Sequence, residues 1–277
     1  MITYRCKMPE ELDVVYFKGI FKILLRMSNK KIEYRNGECT VVICSNEKIN
    51  YFDLAVLFAI LSIFYRYGKF QKFSELTILK MLTNNSKAHF TQNPKKRKTV
   101  TKEKIRRSLV KLSNIELIEW NNVRFEKSSF TGLIQEYGYL LFENDPLLFK
   151  IAEMGENVEV KHIDLRLFEF YKDSKTKAHT SINNISLAMF VLSKILSGEK
   201  EIIIHDMQRI IGLDEKLEDI NNLYRAKRIN YNIMQKRKKS LVYNFNKIYL
   251  LNYFNNLKKM KLLNNFHIEN KKITICN

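Results

Sequence analysis

The sequence predicts a helix-rich α+β fold in which a run of helices followed by a β-hairpin occurs twice. Only eight Gly and three Pro interrupt the 277 residues, which favours helices joined by short connections. Hydrophobic residues make up 45% of the chain, enough to bury a core in one large domain or in two. Segments with apolar residues at helical spacing are followed along the chain by short segments in which apolar and polar residues alternate, as in strands.

The first 49 residues combine both patterns. Val14 to Met27 has the spacing of a helix. Ile32 to Tyr34 and Thr40 to Cys44 flank Asn36-Gly37, a pair that favours a tight turn between strands. We therefore expect a helix and a hairpin ahead of the first run of helices.

Two helices are predicted next. Asn50 is a good N-cap, and the Asp53 carboxylate three residues later can accept hydrogen bonds from free amides of the first turn. The apolar helix runs to about Tyr65, and Gly68 ends it. Ser74 caps a shorter helix. Its apolar residues on one face are Leu76, Leu79 and Leu82.

A third, basic helix and a hairpin complete this module. A polar loop from Asn84 to Val100 leads to Thr101, which opens a helix. The apolar stripe of that helix is Ile105, Leu109 and Leu112. Glu116 to Trp120 and Val123 to Lys127 then alternate around Asn121-Asn122, as the strands of a hairpin do.

A similar order recurs in the second half of the chain. The first predicted elements are a helix over Asn184 to Leu196 stopped by Gly198, a strand over Glu201 to Ile204 and a helix over Asp206 to Ile211. A later helix runs to about Lys259, and the residues on its apolar side are Phe245, Tyr249, Leu250, Phe254 and Leu257. The last element is a hairpin of Asn265 to Ile268 and Lys272 to Ile275 around the loop Glu269-Asn270-Lys271.

Helices followed by a basic helix and a hairpin form the order of a winged helix-turn-helix module. In that module the third helix enters the DNA major groove and the hairpin, or wing, touches the backbone. We therefore expect two winged helix-turn-helix domains in tandem. Residues 1–140 would hold an N-terminal extension and the first domain, and residues 141–277 the second.

The net charge of +19 is concentrated in two segments. Residues 87–111 hold ten Lys or Arg against one acid, and residues 216–277 hold fourteen against three, so the remaining 190 residues carry a net charge of −1. An AT-rich genome would enrich Lys along the whole chain, whereas this charge is local. The distribution predicts two surfaces that face a polyanion, and double-stranded DNA is the expected partner.

The candidate DNA contacts are the basic residues of these segments. In the first they are Lys95, Lys96, Arg97, Lys98, Lys102, Lys104, Arg106, Arg107 and Lys111, with Arg124 on the wing. In the second they are Arg225, Lys227, Arg228, Lys236, Arg237, Lys238, Lys239 and Lys247. The basic residues of the loop, Lys95 to Lys98, are expected to bind phosphates without reading sequence.

Other interpretations of these segments stay open. The helix after Thr101 also has the pattern of a solvated amphipathic helix, although it offers few i,i+4 acidic partners. Pro94 to Lys98 also resembles a nuclear localisation cluster. Tyr224, Tyr231 and Tyr243 among the later basic residues would also suit stacking on single-stranded nucleic acid or RNA.

The remaining features indicate a cytoplasmic protein. Four cysteines without a C-x-x-C pair are typical of buried thiols in a reducing compartment. The sequence begins without a signal-peptide pattern, and no apolar run approaches the length of a membrane span, so no membrane partner is expected.

Motifs of catalysis are missing from the sequence. It has no phosphate-binding loop of the G-x-x-x-x-G-K-[ST] type and no G-x-G-x-x-G. The five histidines never stand two, three or four residues apart, so no local metal pair forms. We expect no enzyme activity, no cofactor and no metal; a nucleophilic tyrosine acting with distant arginines is the remaining enzymatic alternative.

The chain resembles the iteron-type replication initiators of bacterial plasmids, which carry two winged-helix domains in tandem. The residues behind the resemblance are Thr101 to Leu109 with the wing Ile118 to Phe125, the linker Asn144-Asp145-Pro146-Leu147-Leu148, and Ile202 to Met207. It implies binding to direct repeats at an origin, opening of an AT-rich region, host replication proteins as partners and a homodimer in equilibrium with the monomer. A transcriptional regulator of a mobile element is the alternative, followed by a tyrosine-dependent strand-transfer enzyme.

Overall fold

The computed structural model describes residues 11–16, 31–36, 39–44, 48–67, 74–90, 99–113, 116–120, 123–124, 159–173, 175–178, 180–196 and 198–276. The chain forms two compact units, Met1–Arg166 and Leu167–Asn277. The predicted division at 140/141 and the linker Asn144 to Leu148 lie outside the described residues. The fold is helix-rich α+β, as the sequence predicts.

The described strands of the N-terminal unit form two antiparallel sheets. Strand β1 (Glu11–Tyr16) pairs with β6 (Glu159–Asp164). The strands β2 (Lys31–Asn36), β3 (Cys39–Cys44), β4 (Glu116–Trp120) and β5 (Val123–Arg124) form a second sheet in that order. The two predicted hairpins are therefore confirmed, β2–β3 and β4–β5; the residues 125–127 of the predicted wing lie outside the described part.

The helix predicted over Val14 to Met27 is wrong at its start. Val14, Val15 and Tyr16 belong to β1, where Val14 pairs with Lys161 and Val15 with Val160. β-Branched and aromatic residues suit a strand, and the partner strand is far away in sequence, so local spacing does not reveal it.

The described residues of the N-terminal unit also form three helices: α1 (Tyr51–Tyr67), α2 (Glu75–Thr83) and α3 (Lys102–Ser113). The predicted N-cap Asn50 is confirmed, since its Oδ1 accepts from the amides of Phe52 and Asp53 at 2.9 and 3.0 Å. Ser74 caps α2, with its Oγ 3.4 Å from the amide nitrogen of Thr77. Gly68 lies outside the described residues.

The core of this unit is built on α1. Leu54 to Leu57 and Ile60 are completely buried, so this helix is surrounded by protein. The stripe predicted for α3 is confirmed, because Ile105, Leu109 and Leu112 are all buried. The apolar face of α3 therefore points inward and its charged residues lie at the edges or on the outside.

The C-terminal unit has its own core and sheet. After a short 3₁₀ turn at Leu165–Phe168, its elements are α4 (Ile182–Leu196), β7 (Glu201–Ile203), α5 (Ile204–Ile210), α6 (Leu213–Arg225), a long helix, β8 (Asn265–Glu269) and β9 (Lys272–Cys276). The sheet has the order β7-β9-β8. No element was predicted over the residues of α6.

The long helix consists of α7 (Tyr231–Asn244), a π-helical segment (Phe245–Asn252) and α8 (Tyr253–Lys259). Its predicted apolar side is confirmed at Phe245, Leu250, Phe254 and Leu257, which are buried. A π-helix has more residues per turn than an α-helix, so it brings positions four and five apart to the same side. The buried side therefore widens from residue 245 onward.

The β8–β9 hairpin is tighter than predicted. Glu269 pairs with Lys272, so only Asn270 and Lys271 form the turn, whereas the sequence analysis placed Glu269 in the loop. Asn270 and Lys271 have φ of 44° and 66°, the pair of positive values that a two-residue turn between twisted strands requires.

No helix among the described residues is long and apolar enough to cross a bilayer.

Candidate nucleic-acid interface

The first half of the long helix is a solvent-exposed element. Along α7 only Met234 is buried, at 6% exposure, whereas the following π-helical segment and α8 supply many core residues. A helix of this kind stabilises its unit through few contacts. Its outer face is therefore available to a partner.

One face of the long helix carries a row that we call the cationic stripe: Lys236, Lys239 and Tyr243 on α7, and Lys247 in the π-helical segment. At 3.6 residues per turn the first three fall within an arc of about 60°, on the side away from Met234. Lys247 continues the row, since its Nζ lies 5.7 Å from the centroid of the Tyr243 ring. All four side chains are exposed.

Arg237 and Lys238, which were also predicted to contact DNA, point in other directions. Lys238 is half-buried and faces α6, where its charge contributes to lowering the pKa of Glu218. The hydrogen bond from Asn221 is the largest cause of that lowered pKa, followed by the charge of Arg225. Arg237 is exposed but lies about 100° around the helix from Lys236.

The turn between α6 and α7 holds three more of the predicted contacts. Arg225, Lys227 and Arg228 are all exposed. Nη1 of Arg225 donates to Glu218 Oε1 at 2.8 Å and to Asn222 Oδ1 at 3.1 Å. Lys227 has φ of 52°, which ends α6 in the left-handed conformation usual for a helix C-terminus.

A loop before α4 adds cations that the sequence analysis missed. Asn252 of the long helix donates its Nδ2 to the carbonyl oxygens of Tyr171 and Lys172 at 3.0 and 3.3 Å. Lys172 and Lys175 are exposed on this loop. No local charge run marks them, and only the fold brings them beside the long helix.

Asp173 shows that this loop lies close to the stripe. The backbone amides of Lys175 and Thr176 hydrogen-bond its carboxylate and are the main cause of its lowered pKa. The positive charge of Lys247 lowers the pKa of Asp173 further. The basic surface of the C-terminal unit thus extends from α7 to the loop before α4.

In the N-terminal unit, helix α3 is less available than predicted. The Nζ of Lys111 lies 3.1 Å from Asp53 Oδ2 and 3.3 Å from the Lys48 carbonyl oxygen, and Asp53 is only 2% exposed. The Nζ of Lys104 donates to the Thr99 carbonyl at 3.0 Å. Burial lowers the pKa of Lys104, and the nearby charge of Arg107 adds to this.

The two arginines of α3 also have acidic partners. Nε of Arg106 donates to Glu75 Oε1 at 2.7 Å, and Nε of Arg107 donates to Glu103 Oε1 at 3.1 Å. Partial burial alone would raise the pKa of Glu75, but the bond from Arg106 and the charges around it hold that pKa below its ordinary value. Of the four basic residues, Lys104, Lys111 and Arg106 thus pair with residues outside α3, and only Arg107 pairs within it. Pairs with residues outside the helix are not found by a search for i,i+4 spacing.

The other predicted contacts of this unit are less defined. Lys102 is exposed at the start of α3, and Arg124 belongs to β5. Lys95, Lys96, Arg97 and Lys98 lie outside the described residues. The C-terminal unit therefore holds the better-defined cationic surface.

Features of catalytic sites are few in the described part of the chain. It holds no group of three or more His, Cys, Asp or Glu residues that could bind a metal ion. Among the tyrosines, Tyr253 is fully buried and burial raises its pKa well above the ordinary value. Tyr224, Tyr231 and Tyr243 are exposed.

Comparison of the chain with family models, with curated proteins and with solved structures finds no match.

Proposed function

We propose that this protein binds double-stranded DNA through two winged helix-turn-helix domains and acts as a replication initiator at origin repeats. The observation that carries DNA binding is the cationic stripe on an exposed helix. Three lysines share one face of the long helix, and Lys172 and Lys175 lie on the loop beside it, where they outnumber the nearby Asp173. A row of exposed cations in excess of nearby acids is suited to phosphates.

The architecture of the C-terminal unit supports the winged-helix part of the proposal. A helix, a short strand, further helices, a long helix and a hairpin follow one another, and the hairpin pairs with the short strand in the order β7-β9-β8. In such a module the helix before the hairpin faces the DNA. The long helix, which carries the stripe, occupies that place.

The dimensions of the stripe suit a groove of duplex DNA. Lys236 and Lys247 are eleven residues apart, which corresponds to about 16 Å along a helix. The major groove is about 12 Å wide and admits an α-helix. Cations at both ends of the stripe can therefore reach phosphates while the middle of the helix faces base edges.

For the N-terminal unit we propose a narrower set of DNA contacts than the sequence predicts. Lys104 and Lys111 stabilise their own unit through Thr99, Lys48 and Asp53. Lys95 to Lys98, Lys102 and Arg124 stay as proposed phosphate contacts. Arg106 and Arg107 would have to exchange Glu75 and Glu103 for phosphates, which reduces their gain on binding.

Replacement of the stripe lysines tests the proposal. Binding of a fluorescent 30-base-pair duplex is measured by anisotropy at several salt concentrations for the wild type and for Lys236→Gln/Lys239→Gln/Lys247→Gln. Each phosphate contact contributes about −0.9 to the slope of log K against log salt, so the triple variant should bind more weakly with a slope shallower by about 2 to 3.

The matched control is Lys200→Gln/Lys259→Gln/Lys261→Gln, which removes the same charge at exposed positions outside the stripe. Lys200 directly precedes β7, and Lys259 and Lys261 lie at and just beyond the end of the long helix. Only a small general loss of affinity is expected for it. An equal loss of slope in both variants would show that net charge, not the stripe, drives binding. A wild-type slope near zero would contradict phosphate binding altogether.

The initiator role has a separate test. The DNA that flanks the gene should contain several direct repeats beside an AT-rich stretch, and the protein should protect those repeats from nuclease cleavage. Protection of a promoter without repeats would favour a transcriptional regulator.

A further inference from the structure

Tyr243 is the most exposed large hydrophobic side chain in the described part of the chain. Its exposure is 61%, compared with 58% for Tyr231 and 50% for Leu251. A ring that stays in water contributes little hydrophobic stabilisation to the fold. Folding alone therefore gives no reason for an aromatic residue at this position.

The surroundings of Tyr243 indicate what covers its ring. Lys239 lies one helical turn before it, and Lys247 lies one turn after it with Nζ 5.7 Å from the ring centroid. That distance allows a cation–π interaction, which holds the ring beside Lys247. The partner of this surface must offer negative charge on both sides and an apolar group between.

Duplex DNA presents that combination in the major groove. Phosphates line its two edges, and the C5-methyl group of thymine is the apolar group among the base edges. We propose that Tyr243 contacts thymine methyl groups in the major groove and makes binding selective for thymine-containing sequence. This inference rests on the proposed DNA binding and adds a specificity-determining residue to it.

Single-stranded DNA would use the same ring differently. An unpaired base stacks on the face of an aromatic side chain, and the stacking does not require the methyl group. Replacement of thymine by uracil removes the methyl group while keeping every hydrogen-bonding group of the base. Sensitivity to this replacement in a duplex therefore separates the two modes.

The experiment compares two 30-base-pair duplexes, alternating dA-dT and alternating dA-dU, by anisotropy at one salt concentration. Burial of one methyl group corresponds to about 0.8 kcal/mol, or about fourfold in affinity. The wild type should bind the dA-dT duplex at least fourfold more tightly. Tyr243→Ser should lose most of that preference, whereas Tyr243→Phe should keep it.

The matched control is Tyr231→Ser, which removes a ring of nearly equal exposure about 120° around the same helix. It should keep the wild-type preference for dA-dT. An equal preference in the wild type and Tyr243→Ser would overturn the inference and leave DNA binding intact. Tighter binding of a single-stranded dT 30-mer than of either duplex, lost in Tyr243→Ser, would overturn it in favour of base stacking. Failure of the wild type to bind any of these DNAs would overturn the proposed function itself.

Discussion

Tyr253 is a buried residue whose hydroxyl has no partner among the described residues. Its side chain is completely buried, and its ring stacks on Phe170 with centroids 4.2 Å apart. In the described part of the chain its hydroxyl makes no hydrogen bond. The nearby Tyr249 differs, because its hydroxyl donates to Asn184 Oδ1 at 3.1 Å. Two tyrosines one helical turn apart thus differ in their hydroxyl groups: that of Tyr249 is hydrogen-bonded, whereas that of Tyr253 has no described partner.

The first prediction follows from this difference. Tyr253→Phe removes a desolvated hydroxyl and keeps the stacked ring, so it should raise the free energy of unfolding of the C-terminal unit by about 1 kcal/mol. Tyr249→Phe loses a hydrogen bond and should lower it by about 1 kcal/mol. Amide hydrogen exchange of α4 and α8 measures both changes. Slower exchange in Tyr249→Phe than in Tyr253→Phe would contradict the assignment.

At the scale of elements, Asp53 joins two helices of the N-terminal unit. From the first turn of α1 its Oδ2 accepts from the Asn50 amide at 3.0 Å, and its Oδ1 accepts from Ser108 Oγ of α3 at 2.6 Å. Lys111 completes the network with an ion pair to Oδ2. A carboxylate this deeply buried needs all of these partners.

The second prediction is that Asp53→Asn destabilises this unit by about 3 kcal/mol, because it leaves Lys111 without its counter-charge and turns one acceptor into a donor. Arg107→Gln breaks only the exposed pair with Glu103 and should change the free energy of unfolding by less than about 0.5 kcal/mol. Urea unfolding followed by fluorescence of Trp120, the single tryptophan and part of β4, measures both. Equal effects would show that the Asp53 network adds no more than a surface pair.

Local signals predict elements well where the determinants are close in sequence. The caps Asn50 and Ser74 and the stripe of α3 each depend on residues within a few turns, and all are confirmed. Strand β1 fails this condition, since its partner β6 lies in the distant segment 159–164.

The candidate interface follows the same rule. The sequence locates the basic residues, but whether they are free to bind DNA depends on ion pairs with residues that are distant in sequence. Lys111 pairs with Asp53, and Arg106 pairs with Glu75. Exposure and shared direction, which define the cationic stripe, also depend on which side of the long helix is buried. The π-helical segment alters that side in a way that regular α-helical spacing does not predict.

At the scale of the molecule, the charge is divided between two units. The segment 87–111 belongs to Met1–Arg166 and the segment 216–277 to Leu167–Asn277, and together they account for slightly more than the whole net charge. If both segments bind phosphates of one duplex, their contributions to the free energy of binding should add. If only one binds, the other should matter little.

The last prediction separates these cases. Lys95→Gln/Lys96→Gln/Arg97→Gln/Lys98→Gln should weaken binding to a repeat-containing duplex and to a random duplex alike, because loop lysines that bind phosphates do not read sequence. Combined with the three stripe substitutions, it should multiply the loss in affinity and make the salt slope shallower than either variant alone.

Anisotropy titrations of the wild type, both variants and their combination measure the four affinities. A combined loss no larger than that of the stripe variant would show that the first segment makes no DNA contact. A loss confined to the repeat duplex would instead assign base recognition to Lys95 to Lys98. Multiplied losses on both duplexes would be expected of a chain that contacts the backbone through each of its two units, because separate phosphate contacts contribute independently to the release of counterions.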